Sequence, residues 1–171
     1  MDLLHADFTT HEYAPHVHDS LVVAVTEAGG SESKSRGRTD VAHPQALLVF
    51  NPSEPHSGRM GGSERWRYRS FYLAESAIQD VLDAVGIDQP GYFTSNVVRD
   101  PDLVARFLTL HRVLDGEPQD ALLHRELVVR TFGDLAPAAW AGLPDACLKP
   151  LVIPTRSHPF SNSCATAMPT A

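Results

Sequence analysis

The stretch that decides the fold runs from residue 16 to residue 56. It opens with HVHDSLVVAVTEAGG and closes, after a polar segment, with ALLVFNPSEPH. His16 and His18 stand two apart, and side chains on a strand alternate between its faces, so both imidazoles are expected to point the same way. His56 returns after a rigid turn that holds two prolines. The spacing predicts that three imidazoles from two β segments converge inside a closed, partly hollow sheet structure.

Further β segments are predicted on both sides of this stretch. Residues 5–14, 17–28, 31–38, 46–50 and 64–73 are interpreted as strands, with residues 58–63 as a flexible loop. The segment 31–38 is polar and predicts a strand that faces solvent. On the last strand, alternation separates two sets of side chains, which are Trp66, Tyr68, Ser70 and Tyr72 on one face and Arg65, Arg67, Arg69, Phe71 and Leu73 on the other. Residues 1–73 are therefore expected to form a barrel.

The periodicity changes from two to 3.6 after residue 73. Apolar side chains between Ile78 and Val85 predict a helix that stops at Gly86. Asp100-Pro101-Asp102 is a strong helix start, and a second helix is expected from near Pro118. The short connection predicts that these two helices pack antiparallel. Residues 74–140 are thus assigned to a helical dimerisation and linker region, and residues 141–171, rich in Pro, Ser and Thr, to an irregular tail.

Composition excludes several classes of protein. The chain has 171 residues, 43% hydrophobic and 20% charged, with a formal net charge of -7. No region has the basic excess of a surface that grips nucleic-acid phosphates. No apolar run reaches the roughly 18–20 residues that cross a membrane, and the first residues do not resemble a secretion signal. Because the chain has only two cysteines, a cytoplasmic location is expected.

Several segments in order resemble the N-terminal effector-binding domain of AraC-family transcription regulators. They read HEYAPHVHD from His11, PQALLVFNPSEPHSG from Pro44 and WRYRSFYL from Trp66, followed by the two helices, and the resemblance covers about residues 5–136. It implies an α+β fold, in which a cupin-like double-stranded β-helix (a jelly-roll barrel) precedes an antiparallel helical pair. It also implies a homodimer that binds a small-molecule effector for transcriptional control, and no enzymatic activity.

The chain departs from this family pattern in two places. The family normally continues into about a hundred residues with two helix-turn-helix units, and nothing in this sequence supplies them. DNA binding is therefore expected only through a domain that this chain lacks, and we interpret the chain as an isolated or truncated sensor module. In addition, catalytic cupins commonly place a carboxylate four residues after the second histidine. That position is Val22 here, although Gly29 keeps the glycine of the pattern.

The expected effector-binding residues are Tyr13, His16, His18, His56, Tyr68 and Arg69. Arg69 is included because an arginine binds a carboxylate in a bidentate manner, which would suit an anionic effector. Trp66 is interpreted as a packing residue, and His11 as a surface or packing residue. No catalytic residue and no cofactor are predicted.

Two alternatives remain open from the sequence. His16, His18 and His56 could hold a divalent metal, as in a cupin dioxygenase or isomerase, since neutral imidazoles suit several transition metals. A purely structural dimerisation fragment is the other alternative.

Overall fold

The computed structural model describes residues 1–88, 90–116 and 120–141, with side chains up to residue 135. Strands come first. They are β1 (Asp2–Phe8), β2 (Glu12–His16), β3 (Leu21–Gly29), β4 (Ser31–Ser35), β5 (Arg38–Ala42), β6 (Leu47–Phe50), β7 (His56–Met60) and β8 (Trp66–Leu73). The rest is mostly helical, with α1 (Glu75–Val85), β9 (Tyr92–Phe93), β10 (Val97–Val98), α2 (Pro101–Asp115), α3 (Ala121–Ala139) and β11 (Trp140–Ala141).

Two antiparallel sheets form the barrel. One has the order β1-β8-β3-β6-β10, and the other has the order β2-β7-β4-β5. A small separate sheet pairs β9 with β11. The neighbours in the large sheet are far apart in the chain, as a jelly-roll topology requires. The predicted α+β class, with a jelly-roll barrel followed by helices, is confirmed.

The two faces of strand β3 pack against two different parts of the molecule. Val23 and Val25 are almost completely buried in the main core, which the helices share with the outer face of the large sheet. Val22 and Ala24 point the other way and pack with Leu48 and Phe50 on the inner face. Both faces of β3 are apolar because neither faces open solvent.

The helices cover the outer face of the large sheet. Gly86 ends α1 in the left-handed conformation at φ 72°, and the Asp100 side chain accepts a hydrogen bond from the Leu103 amide at 2.9 Å, which caps α2. Both boundaries lie where the sequence predicts them, with Gly86 at the end of α1 and Asp100 before α2. Arg106 and Asp134, on α2 and α3, form an ion pair at 3.3 Å, so the two helices are neighbours. The short connection between them makes neighbouring helices antiparallel. No helix among the described residues is both long and apolar enough to span a membrane.

The two sides of the expected division at residue 73 are joined in the structure. The residue is the end of β8, but β10 lies within the expected helical region and pairs with β6. Phe71 of β8 packs against Phe107 of α2 and Phe132 of α3, with ring centroids 5.1 and 5.4 Å apart. Barrel and helices therefore share one core. Residues 142–171 of the expected tail lie outside the described residues.

Three local predictions from the sequence were wrong. Residues 5–14 do not form one strand, because the chain bends between β1 and β2. Residues 31–38 form most of the β4–β5 hairpin, whose turn has Arg36 and Gly37 at φ 50° and 72°. Positive φ at both turn residues matches the right-handed twist of the flanking strands. The first half of the expected loop, residues 58–60, belongs to β7.

Candidate ligand-binding cavity

The space between the two sheets is a cavity of about 470 Å³. Its walls come from both sheets, and most of their exposed surface is apolar, although histidine, serine, threonine and glutamate side chains also line them. This size and composition are typical of small-molecule sites. On β8, the side chains that line the cavity are Trp66, Tyr68, Ser70 and Tyr72, the set that alternation placed on one face.

The three predicted histidines meet at one end of this cavity. His16 is the last residue of β2 and pairs across the sheet with His56, the first residue of β7. His18 lies in the connection to β3, so the two neighbouring histidines do not share one strand as expected. One nitrogen from each ring lies within 4.8 Å of the others. The predicted convergence of imidazoles from separate β segments is confirmed.

Backbone carbonyls fix which ring nitrogens carry protons. Nδ1 of His16 bonds the Ala14 carbonyl at 2.7 Å, and Nδ1 of His56 bonds the Glu54 carbonyl at 2.8 Å. A carbonyl oxygen only accepts, so both Nδ1 atoms donate and both Nε2 atoms keep a lone pair in the neutral rings. Nε2 of His18 lies 3.1 Å from Nε2 of His16 and is therefore the donor of that bond.

Burial keeps two of these imidazoles uncharged. Desolvation lowers the pKa of His18 below its ordinary value, and repulsion from His16 adds to the effect. The pKa of His56 is also lowered, chiefly by burial. His56 further stacks on Phe50, with centroids 4.0 Å apart. Both shifts favour the neutral forms of His18 and His56 at this end of the cavity.

The donor chemistry of the histidine cluster fits a three-nitrogen metal site. Tetrahedral zinc with nitrogen ligands at about 2.0–2.1 Å brings those nitrogens to roughly 3.3 Å from one another. The pair His16–His18 is already at 3.1 Å, while the whole set spans up to 4.8 Å, so a bound ion would draw the rings together. The carbonyl bonds to His16 and His56 orient their rings, as outer partners of metal-binding histidines do. Val22 supplies no fourth ligand.

Two tyrosines mark the middle of the cavity. The hydroxyls of Tyr13 and Tyr68 are 2.6 Å apart and share a hydrogen bond. Burial, and then this hydrogen bond, raise the pKa of Tyr68 well above its ordinary range. Both expected residues line the cavity, where neutral phenols can donate to or accept from a ligand.

Arg69 lies outside the cavity, which corrects its expected role. Since side chains alternate along β8, Arg69 points away from Tyr68 and towards the helices. Its guanidinium contacts Glu27 at 3.1 Å, Nδ1 of His111 at 3.0 Å and Asp115 at 3.0 Å. Arg69 joins the sheet to α2 instead of meeting a ligand.

The charge of the cavity follows from this correction. Among the described residues, no lysine or arginine lines it, and the only acidic residues that do are Glu12 and Glu32. The expectation of an anionic effector held by Arg69 therefore loses its structural basis.

A buried carboxylate holds the turn that positions His56. The Glu54 side chain accepts hydrogen bonds from Ser35, Asn51 and Asn96 and pairs with Arg36 at 2.5 Å. Burial alone would raise the pKa of Glu54, but these donors hold it at about 2. Arg36, expected to face solvent, instead reaches this buried group.

Some cavity residues were not expected to line it. Trp66 was interpreted as packing, yet it lines the cavity together with His11 and Ser31. The alternation of β8 could have identified Trp66, because it shares a face with Tyr68. Nothing in the polar run 31–38 distinguishes Ser31 from its neighbours.

A jelly-roll barrel with such an interior cavity, backed by helices, has the architecture of a small-molecule-binding domain. Comparison with known families agrees: residues 1–129 match the model of the AraC-like ligand binding domain. The chain belongs to this family, and it is an effector-binding regulatory module.

Individual relatives are consistent with this assignment. The chain is 26% identical over 125 residues to YbfI, an uncharacterised HTH-type transcriptional regulator of Bacillus subtilis strain 168. That match covers 72% of this chain and 45% of YbfI, so the chain spans less than half of that relative. Among solved structures, ToxT of Vibrio cholerae is similar with a TM-score of 0.57 at 8% identity, over 78% of this chain and 54% of ToxT. A second ToxT structure, bound to (E)-4-(8-methylnaphthalen-1-yl)but-3-enoic acid, has a TM-score of 0.55 at 7% identity, over 77% and 55%.

Proposed function

We propose that the chain senses a small, mostly apolar and uncharged molecule inside its barrel. The observation that carries the proposal is the cavity of about 470 Å³, whose aromatic walls enclose a few convergent polar groups. Tyr13, His16, His18, His56 and Tyr68 are the proposed effector contacts. An aromatic body fits such walls, and the ligand in one ToxT structure has one.

The barrel can pass ligand binding to the helices through β8. One face of this strand lines the cavity, while Arg69 and Phe71 on the other face contact α2. A ligand that favours one position of β8 therefore favours one position of the helices. We propose that a DNA-reading domain, of the kind named for the relative YbfI, responds to that change.

The proposal includes a homodimer in the cytoplasm. Leu122 and Leu123 on α3 are 72% and 39% exposed, which gives this helix an apolar face that a second copy could cover. The sedimentation behaviour of the purified chain over a range of concentrations tests this part of the proposal.

An uncharged hydrophobic dye provides a test of the cavity. Nile red should bind wild-type protein saturably, and Ala24→Phe, which fills the space next to Val22 and Leu48, should weaken that binding at least tenfold. Val41→Phe adds the same ring on the exposed strand β5 and should leave the affinity unchanged. Thermal unfolding establishes that both variants fold. Equal binding by Ala24→Phe and wild type would contradict the proposal.

A metal-dependent enzyme is the second candidate function, favoured only by the cluster of His16, His18 and His56. If it is correct, cobalt(II) should bind one ion per chain with visible absorption bands of a nitrogen-ligated ion. His16→Ala together with His56→Ala should abolish binding, while the exposed His43→Ala should not. Absence of stoichiometric cobalt in the wild type would remove this candidate.

A further inference from the structure

We propose that the end of the cavity opposite the histidines is a built subsite for an uncharged hydrogen-bond acceptor on the effector. The inference rests on the proposed function and assigns chemistry to one part of it. The indole Nε1 of Trp66 and the Oγ of Ser31 are buried, and neither has a hydrogen-bond partner among the described residues. Trp66 is 6% exposed and Ser31 only 1%, and both line the cavity.

Strand register places these two groups at the same end of the barrel. Trp66 pairs with Gly29, two residues before Ser31, and Ser31 pairs with Met60. His11 joins them, because its carbonyl accepts from the Met60 amide and its own Nε2 is also buried without a partner in the described structure. Three unsatisfied polar atoms therefore surround the Met60 end of β7.

The histidine cluster belongs to the opposite end of the same strands. His56 begins β7, whereas Met60 ends it. Tyr72, which packs against His18 with ring centroids 5.1 Å apart, stands six residues along β8 from Trp66. Between ring centroids, Tyr13 lies 5.9 Å from His16 and 6.0 Å from Trp66, so the His16 and Trp66 rings at the two ends are at most about 12 Å apart. The cavity thus has two polar ends, with the hydroxyl pair of Tyr13 and Tyr68 between them.

The unpaired atoms indicate which ligand group fits each end. Most buried polar atoms in folded proteins have a partner, so several orphans around one cavity are unusual. An indole N–H can only donate, so its partner must be an acceptor, and the Ser31 hydroxyl can also donate to an acceptor. At the other end, the Nε2 lone pair of His56 can accept from a hydroxyl.

The charged side chains that line the cavity favour a neutral acceptor over an anionic one. No lysine or arginine among the described residues lines the cavity, and Glu12 and Glu32 do. A carboxylate would lose its hydration without gaining a cation. The subsite therefore suits the oxygen of a ketone, ester or amide. Trp66 and Tyr68, stacked with centroids 4.7 Å apart, add an aromatic surface for a flat ligand body.

The stability of the unliganded protein gives a first test. Ser31→Ala removes a buried hydroxyl with no partner, so the variant should be at least as stable as the wild type. Ser35→Ala is the matched control, since Ser35 lies on the same strand, is similarly buried and donates to Glu54 at 2.6 Å. Ser35→Ala should lower the melting temperature. A clear loss of stability in Ser31→Ala would show a structural role and overturn the assignment.

Binding of matched probes gives the decisive test. Methyl 6-hydroxynaphthalene-2-carboxylate carries an ester at one end and a hydroxyl at the other, 2-naphthol lacks the ester, and the free acid is anionic at pH 7.5. Ser31→Ala and Trp66→Phe should each weaken the ester roughly three- to tenfold. Ser31→Ala should change the affinity for 2-naphthol, which has no ester, less than twofold. Wild-type protein should prefer the ester to the acid at least tenfold.

The indole N–H signal reports the contact directly. The ester should move the Trp66 proton resonance downfield, and 2-naphthol should not; Trp66→Phe and Trp140→Phe assign the two indole signals. If the ester binds but neither variant weakens it, this inference fails while the proposed function stands. An acid that binds as tightly as the ester also overturns it. If neither the ester nor 2-naphthol binds saturably, the inference and the proposed function fail together.

Discussion

Arg69 shows how far a single side chain can be read from a sequence. The alternation along β8 separates Arg69 from Tyr68, and the structure confirms that separation: Tyr68 lines the cavity and Arg69 contacts Asp115. Arg69 was nevertheless expected to contact the effector, because an arginine next to tyrosines suggested an anion site. The partners of Arg69 on α2 could not be predicted, since they depend on how the helix crosses the sheet.

His111, which is hydrogen-bonded to Arg69, should make the free energy of unfolding depend on pH. His111 is fully buried, its Nε2 donates to the Leu4 carbonyl and its Nδ1 accepts from Arg69. Burial, and then the charge of Arg69, lower the pKa of His111, although Asp115 and nearby backbone groups of Leu4 and Ser70 oppose the shift. The unfolded chain therefore binds this proton at higher pH than the folded chain does.

Acidification below about pH 6.5, the ordinary pKa of histidine, should therefore remove stability that is present at pH 7.5. Urea unfolding at pH 7.5 and 5.5 measures the loss. The His111→Gln variant should lose less stability than the wild type. The variant His43→Gln, at an exposed position, should lose nearly as much stability as the wild type. The same loss in His111→Gln as in the wild type would contradict this assignment of the proton.

At the scale of elements, the close approach of α1 and α3 depends on one glycine. A Cβ added at Gly133 would lie 2.7 Å from Cγ1 of Val85, and a β-branched side chain has little freedom to move away. Gly133→Ala gains helix propensity of about 1 kcal/mol, but the overlap costs about 1–3 kcal/mol. A net destabilisation of about 1 kcal/mol is expected from urea unfolding.

A second substitution isolates that contact. In the background of Val85→Ala, the clash is absent, so Gly133→Ala should be neutral or stabilising there. The free energies of unfolding of the two single variants and the double variant form a double-mutant cycle. Additive effects in this cycle would show that Gly133 and Val85 do not limit the approach of the two helices.

Elements with strong local signals were predictable, and those fixed by tertiary pairing were not. The apolar run of β3, the alternation of β8 and the cap at Asp100 each appear in the structure where the sequence indicates them. The β4–β5 hairpin was missed because its turn, Arg36-Gly37, lacks the usual Asn-Gly or Asp-Gly signal. The strand β10 has only two residues, and pairing with β6 rather than local preference defines it.

At the scale of the whole molecule, the large sheet separates two environments. Its outer face and the helices form a core around Val23, Phe71 and Phe107, while its inner face encloses the cavity together with the four-stranded sheet of β2, β7, β4 and β5. The histidine spacing predicted one end of that cavity. The Trp66 end could not be predicted, because the register that brings β4, β7 and β8 together there is a property of the closed barrel.

The central claim is that a ligand binds inside the barrel, and methyl NMR tests it most directly. With Nile red bound, intermolecular NOEs should connect the dye to methyl groups of the cavity wall, at Val22, Ala24 and Leu48. Methyl groups of the outer core, at Val23 and Val49, should show none. Contacts to Val23 and Val49, or only to the exposed leucines of α3, would place the dye outside the barrel and contradict the account.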